Sequence, residues 1–460
     1  MSQNGTQDGV PDGSGDERRV VDSLLERLDT YGLGRRQFVK LLAGSAAALA
    51  AAGALTAVGR RDNARGNAVA YTDGQFALLN WSASGDYSVQ WAKAYQDAAR
   101  QLGYKSVVLD GKSDAAVQSN QFNQLLTQKT TAIFVGLNDA GALPTFAHDA
   151  NDRGVLFQAA WNSPAWYTPW HSDADGDKFN SFLMPDEYIA VGKAVDVLAK
   201  QIDEEGTVVR VGGYYPSIDG CEVQRRLAVH DTLKKYPKIR FAGELHAKYD
   251  VDLSQRAASS LLARYPDTVG IVAVNDDVAT GVVAGIEAAG KVPGKDVFVV
   301  GANGSTAGID RIVAGTQLVT TGNVPAYPSF VTLAQFHDRL RGWQPEPAER
   351  FYSWHAEIIT SDNVQPFKAR YVDGPIGESF DVRLLSRTEH PNDFDLQFDG
   401  YPVEDLETIW PEVPKPKGFQ YPEAYLRAQR SGDFDRIRAL YKEHYRSPVL
   451  GPSPYRKVDG

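Results

Sequence analysis

The sequence predicts an α/β protein built as two doubly wound parallel-sheet lobes of related design. Short apolar runs of strand length alternate with helical patterns over about 280 residues from Gln75 onward. The alternation comes in two similar half-chains, the second beginning near Met184. Several of the apolar runs stop abruptly in small polar residues just before a helical pattern, as strands of an open parallel sheet do.

In the first half-chain, Phe76 to Leu79 is the opening strand. Ser88 to Leu102 follows as a helix that places Val89, Ala92, Tyr95, Ala99 and Leu102 on one face. Val107 to Leu109 is a strand, Ala115 to Gln128 a helix, Ala132 to Val135 a strand, Leu143 to Asp152 a helix and Val155 to Ala159 a strand. The second half-chain runs helix Tyr188 to Ile202, strand Thr207 to Val211, helix Gln224 to Tyr236, strand Arg240 to Leu245 and helix Ser254 to Arg264.

The segment from Gly270 to Pro325 is the most informative. Gly270 to Val274 has the length of a buried parallel strand and ends in Asn275, Asp276 and Asp277 before a helix from Ala279 to Ala289. Val297 to Gly301 repeats the pattern, with Ala302-Asn303-Gly304-Ser305 leading into a helix around Ile309 to Val313. A third short strand, Thr320-Thr321-Gly322, ends in Asn323. In open α/β sheets ligands bind beyond the carboxyl ends of the strands, so Asn275, Asn303 and Asn323 stand where a small polar ligand is read. The alternative for Asn275 and Asp277 is that they cap the following helix, a task both residue types suit.

The length, 460 residues, allows two or three domains, and 43% hydrophobic with 23% charged residues is ordinary for a globular protein. A formal net charge of -10 argues against a nucleic-acid-binding surface. There is no phosphate-binding glycine loop, HExxH or CxxC, so nucleotide, zinc and redox mechanisms lack their usual residues. The one cysteine, Cys221, excludes an internal disulfide, and its surroundings lack a nucleophile's partners. Asp173 to Asp177 has the flavour of a calcium loop but lacks the glutamate at the twelfth position and reads as a solvated turn. No cofactor and no metal are expected.

The first 70 residues are of another kind. Residues 1 to 17 are rich in Gly, Asp, Gln and Ser, a composition that predicts disorder. Arg35, Arg36, Phe38 and Lys40 precede an apolar run from Leu41 to Val58, and Ala68-Val69-Ala70 forms a small-x-small cleavage signal. This pattern resembles a twin-arginine leader, which exports folded proteins. The competing reading is a retained anchor, since the run of about 18 residues is at the short limit of a membrane span.

The blocks VNDDVATGVVAGIEAAGK, VVGANGSTAGIDRIVAGT and TTGNVP resemble, in order and spacing, those of the type I periplasmic binding proteins, in particular the ribose-binding branch. The resemblance runs from about Gln75 to Ile359. It implies lobe one at 75–183 plus 324–352, lobe two at 184–323 plus 353–361, and three chain crossings that form a hinge. It also implies a cleft arginine at Arg225, with Arg226 as its rival, and a cleft asparagine at Asn275. Asn303 and Asn323 replace the branch's aspartate and glutamine, and Trp161-Asn162 stands where Asp-Arg is expected, so the pocket is expected to be more aromatic than a ribose site. Trp81 and Tyr87 join Trp161 as candidate walls, because sugar C–H faces pack on aromatic rings. Asn80, Asp86 and Asn138 complete the ligand-binding candidates.

Residues 362–460 exceed the usual fold. A strand signal at Phe380 to Leu385 and helices at Pro422 to Ser431 and Phe434 to Tyr445 are expected in a tail that wraps the lobes or forms a small subdomain. The resulting expectation is an exported monomeric solute receptor, not an enzyme, that hands a sugar or polyol to an ABC transporter permease. A receptor that signals to a membrane kinase, or an enzyme on the same fold, are the alternatives.

Overall fold

Five parallel strands begin the first lobe: β1 (Gln75–Asn80), β2 (Lys105–Asp110), β3 (Thr130–Gly136), β4 (Leu156–Ala160) and β5 (Phe179–Pro185). The helices α1 (Asp86–Gln101), α2 (Ala115–Thr127) and α3 (Leu143–Arg153) connect the first four of them. The coordinates are a computed structural model that describes residues 74–173, 176–214, 220–410 and 413–455. The leader expected in residues 1–70 lies outside the described residues.

Lobe two follows as α4 (Glu187–Gln201), β6 (Gly206–Gly212), α5 (Gly220–Leu233), β7 (Ile239–His246), α6 (Val251–Arg264), β8 (Thr268–Ala273), α7 (Asp276–Ala288) and β9 (Phe298–Val300). Then come α8 (Thr306–Ala314) and β10 (Thr320–Gly322). Its four parallel strands lie in the order β7-β6-β8-β9. Helices α6 and α7 pack so closely that a Cβ on Gly281 would stand 2.1 Å from the Val251 carbonyl oxygen, which only glycine tolerates.

The chain returns through α9 (Ala326–Leu340) to β11 (Phe351–Trp354), which pairs in parallel with β5. It crosses again to β12 (Glu357–Ile359), antiparallel to β10. After α10 (Val364–Tyr371) and the short α11 (Val382–Leu385), strand β13 (Gly400–Pro402) pairs antiparallel with β11. The lobe-one sheet thus reads β13-β11-β5-β4-β3-β1-β2. Helices α12 (Glu423–Ser431) and α13 (Asp433–Glu443) close the fold.

Two expectations are corrected here. The strand at Phe380 to Leu385 is instead a helical turn, because Asp381 accepts from the Arg383 and Leu384 amides and starts α11. On α1 the buried face runs through Tyr87, Trp91, Ala94, Tyr95 and Ala98, leaving Val89 52% exposed. The Trp91 indole, packed edge-on against Phe134, sets the helix phase in place of the smaller valine.

The tail joins lobe one's core. Phe380, Phe398, Trp410, Tyr425, Ile437 and Tyr441 belong to one apolar cluster with Phe76, Trp91, Phe134 and Tyr327. Polar ties reinforce it: Arg383 donates to the Gln101 carbonyl oxygen at 2.6 Å, and Asp338 of α9 accepts from the Arg387 amide at 2.7 Å. Among the described residues no helix is long and apolar enough to cross a membrane.

Candidate functional site

Three passages of chain between the sheets bring the strand ends together: Pro185 to Glu187, Gly322 to Ala326, and Trp354 to Glu357. At the first, the Asp186 amide donates to the Trp354 carbonyl oxygen at 3.0 Å and its carboxylate meets His355 Nδ1 at 2.9 Å, so two passages are tied to one another. The lobes meet across this seam: a Cβ on Gly220 of α5 would stand 3.5 Å from the Trp161 carbonyl oxygen.

On the lobe-one side the aromatic candidates converge. Trp81, at the end of β1, stacks on Trp91 at 4.8 Å and meets Trp161 edge-on at 4.9 Å. Tyr87 lies 6.0 Å from Trp161. Its hydroxyl is buried with no hydrogen-bond partner of ordinary geometry among the described residues. Burial above all, then the nearby Glu187 carboxylate, pushes the Tyr87 phenol well above its usual range, while Arg225 pulls the other way. Trp161 holds φ at 64°, a left-handed conformation that is costly for a large side chain and that clusters at functional sites.

The asparagines of lobe one do different work. Asn80 donates to the Ser88 carbonyl oxygen at 3.0 Å, Asn162 to that of Leu137 at 2.9 Å, and Asn138 to those of Trp81 and Gly111, each at 3.2 Å. All three amides therefore hold the loops that carry the tryptophans. Asp86 reaches across the seam, accepting from the Thr306 amide at 2.7 Å at the start of α8.

Lobe two is centred on Arg225, which is 5% exposed. Its Nε and Nη2 fork onto Glu187 at 2.7 and 2.5 Å, Nη1 donates to the Val274 carbonyl oxygen at 2.7 Å, and Nη2 donates to Asn303 Oδ1 at 2.7 Å. Burial opposes the charge, but the Glu187 carboxylate outweighs it and holds the guanidinium above its ordinary range. Arg226 points away and pairs with Glu244 at 2.7 Å on the outer face. Asn275 Oδ1 accepts from the Val278 amide at 2.9 Å, so it does cap α7, with its backbone at the end of β8. Asn303 takes φ of 102° to present its oxygen to Arg225. Asn323, at the second passage, is 1% exposed, and its Oδ1 has no partner among the described residues.

The loops of lobe two hang on a buried carboxylate. Asp276 accepts from the Ser305 amide at 2.9 Å, from Gln317 at 2.8 Å and from the Thr320 hydroxyl at 2.9 Å, joining the ends of β8 and β9 to the start of β10. Burial raises its pKa from the ordinary carboxylate value. Next to it, Asp277 is pushed up to about 6, first by burial, then by the like charges of Asp276 and Asp86, with Arg311 opposing.

Glu187 is the residue that sequence reasoning missed. Glu187 reads in sequence as an ordinary acid in the first turn of a helix, a common choice for the dipole alone. An open groove of about 370 Å³ lies elsewhere, on the tail, between Pro366, Arg370, Leu450 and Tyr455. Among the described residues no group of His, Cys, Asp and Glu is arranged to hold a metal ion.

Residues 76–342 match the periplasmic binding protein domain family. The chain belongs to it. The family match ends within the turn after α9, so β11, β12 and the tail lie beyond it. The chain is similar to the D-apiose import binding protein of Actinobacillus succinogenes, with 25% identity over 259 residues that cover 56% of this chain and 79% of that protein. It is similar to the ribose import binding protein of Salmonella typhimurium, with 25% identity over 253 residues, 54% of this chain and 79% of the relative. Among solved structures, a twin-arginine translocation pathway signal protein from Burkholderia phytofirmans superimposes with a TM-score of 0.60 at 21% identity, covering 66% of this chain and 94% of that one. The fold is that of the two-lobed binding proteins, a family of transport receptors rather than enzymes.

Proposed function

We propose that this protein is an extracytoplasmic receptor that captures a small polar ligand, a sugar or polyol, between its lobes and delivers it to an ABC transporter permease. The observation that carries this reading is that two buried polar atoms of the candidate residues, Tyr87 Oη and Asn323 Oδ1, have no hydrogen-bond partner of ordinary geometry among the described residues. A buried polar group left unpaired costs roughly 1–3 kcal/mol. A ligand hydroxyl is donor and acceptor at once and satisfies either atom, while the Trp81 and Trp161 rings supply the flat wall that a sugar's C–H face prefers. The family membership and the pentose-binding names of the matched relatives support the same class.

In this reading the site comprises Trp81, Tyr87, Trp161, Arg225, Asn275, Asn303 and Asn323, with Asp86 at the seam and Asn80, Asn138 and Asn162 behind it. Lobe one comprises 75–185 plus 324–354, because Met184 and Pro185 pair with Ser353 and Trp354 inside its sheet. Lobe two comprises 186–323 plus 355–361, and 362–460 form the extension. Residues 1–70 serve as a twin-arginine leader on the strength of Arg35, Arg36, Phe38 and Lys40. The mechanism is closure about the hinge, stabilised by ligand contacts with both lobes.

The test is intrinsic-fluorescence titration with a panel of pentoses, hexoses and polyols, followed by recovery of the bound ligand. At least one compound is expected to bind saturably and to return unchanged. A chemically altered product overturns the receptor reading, and a panel without a binder overturns the ligand class.

A further inference from the structure

The cleft arginine has been taken out of circulation. Of the five N–H donors of Arg225, four are committed to protein acceptors: two to Glu187, one to the Val274 carbonyl oxygen and one to Asn303. A guanidinium free to fork onto a ligand is the usual recogniser of carboxylate and phosphate groups. Here Glu187, only 1% exposed, occupies that fork with both oxygens.

We infer that Glu187 sets the ligand class of the cleft: by neutralising and engaging Arg225 it restricts the site to uncharged polyhydroxy compounds and turns away sugar acids and sugar phosphates. The inference rests on the sugar or polyol reading above and narrows it. Three further observations agree. An entering anion would have to displace Glu187 or lie beside it, leaving one of two buried negative charges uncompensated. Asn323 Oδ1, an acceptor with no partner among the described residues, needs a donor, which a sugar hydroxyl brings and a carboxylate does not. The seam itself is acidic: Asp277 of lobe two lies against Gly85, the neighbour of Asp86 in lobe one, with its carboxylate 3.4 Å from where a Cβ on Gly85 would stand. Arg311 is the nearby cation, and it is committed to lobe two's frame by bonds to the Asp276 carbonyl oxygen and the Thr280 hydroxyl, each at 2.7 Å.

The experiment compares the full chain with the Glu187→Gln variant, which keeps the side-chain volume and one acceptor but removes the charge. Calorimetric titration of the wild type is run with neutral sugars and polyols and with the aldonate or uronate of the same carbon skeleton. The acid is expected to bind at least about 100-fold more weakly than its neutral parent, the scale of a lost charge-assisted contact plus repulsion. Glu187→Gln is expected to gain about tenfold or more for the acids. Equal wild-type affinity for an acid and its neutral parent overturns the inference, and so does a folded variant that gains nothing.

If the variant folds poorly on its own, its thermal stability in the presence of millimolar aldonates replaces titration. The acids are expected to stabilise the variant by more than they stabilise the wild type, and the absence of that difference overturns the inference. A wild-type protein that binds no neutral sugar or polyol defeats the ligand class proposed above, while the variant's response to acids still decides the role of Glu187.

Discussion

Asp277 shows how the seam taxes single residues. It stands at the start of α7, where an acid favours the helix dipole, yet burial and the neighbouring Asp276 and Asp86 raise its pKa to about 6. A carboxyl raised in the folded state above its ordinary value near 4 favours folding when protonated. The stability it contributes is therefore full below about pH 4 and is lost as pH rises through about 6. Asp277→Asn is expected to be more stable than the wild type by about 1–2 kcal/mol at pH 8 and indistinguishable from it at pH 4, a value reduced from the full shift because the side chain is partly solvated. Denaturant unfolding across that pH range checks it; equal unfolding midpoints at pH 8 would refute it. At this scale the sequence was legible in residue type more than in role. Asn275, Asn303 and Arg225 were found through their blocks, but the capping bond of Asn275 and the Arg225–Asn303 bond are a matter of side-chain direction. Glu187 was invisible because its partner lies 38 positions away.

The elements divide by how local their causes are. The strands and helices of both half-chains announce themselves, since each is fixed by its own periodicity. Strands β5, β11 and β13 do not: β11 is a four-residue piece, and β13 is three residues long and exists because it pairs with β11. The tail helices at 423–443 were legible from their amphipathic spacing, while Phe380 to Leu385 misled because its apolar content serves packing on Tyr327 and Phe330 rather than a strand ladder. The tail's aromatic rings fill lobe one's core, so it is not a detachable appendage. A chain ending at residue 361 is expected to expose these surfaces and to lose cooperative thermal unfolding. Size-exclusion chromatography and calorimetry of that truncation provide the measurement, and a soluble monomer with a sharp transition near the parent's would contradict the claim.

Across the whole molecule, the extension touches both lobes. Trp166 of lobe one packs at a tilt on Trp410, 5.5 Å between rings, and donates to the Val413 carbonyl oxygen at 3.0 Å, while Gln224 of lobe two donates to the Ile409 carbonyl oxygen at 3.0 Å. The segment around Trp410 is thus a clasp beside the cleft, and opening the lobes breaks the Gln224 bond together with the Asp86 to Thr306 contact. Gln224→Ala is expected to shift the ligand-free protein toward the open form and to weaken ligand binding by up to about tenfold, roughly the worth of one net hydrogen bond. Small-angle scattering reads the change in radius of gyration, and an unaltered radius and affinity would rule the clasp out. The same connectivity has a consequence for how the chain becomes this structure. Lobe two's four-stranded sheet is drawn from one continuous stretch, whereas lobe one's sheet waits for β11 and β13 from residues 351–402. Contacts so distant in sequence close slowly, so the lobe encoded first is completed last.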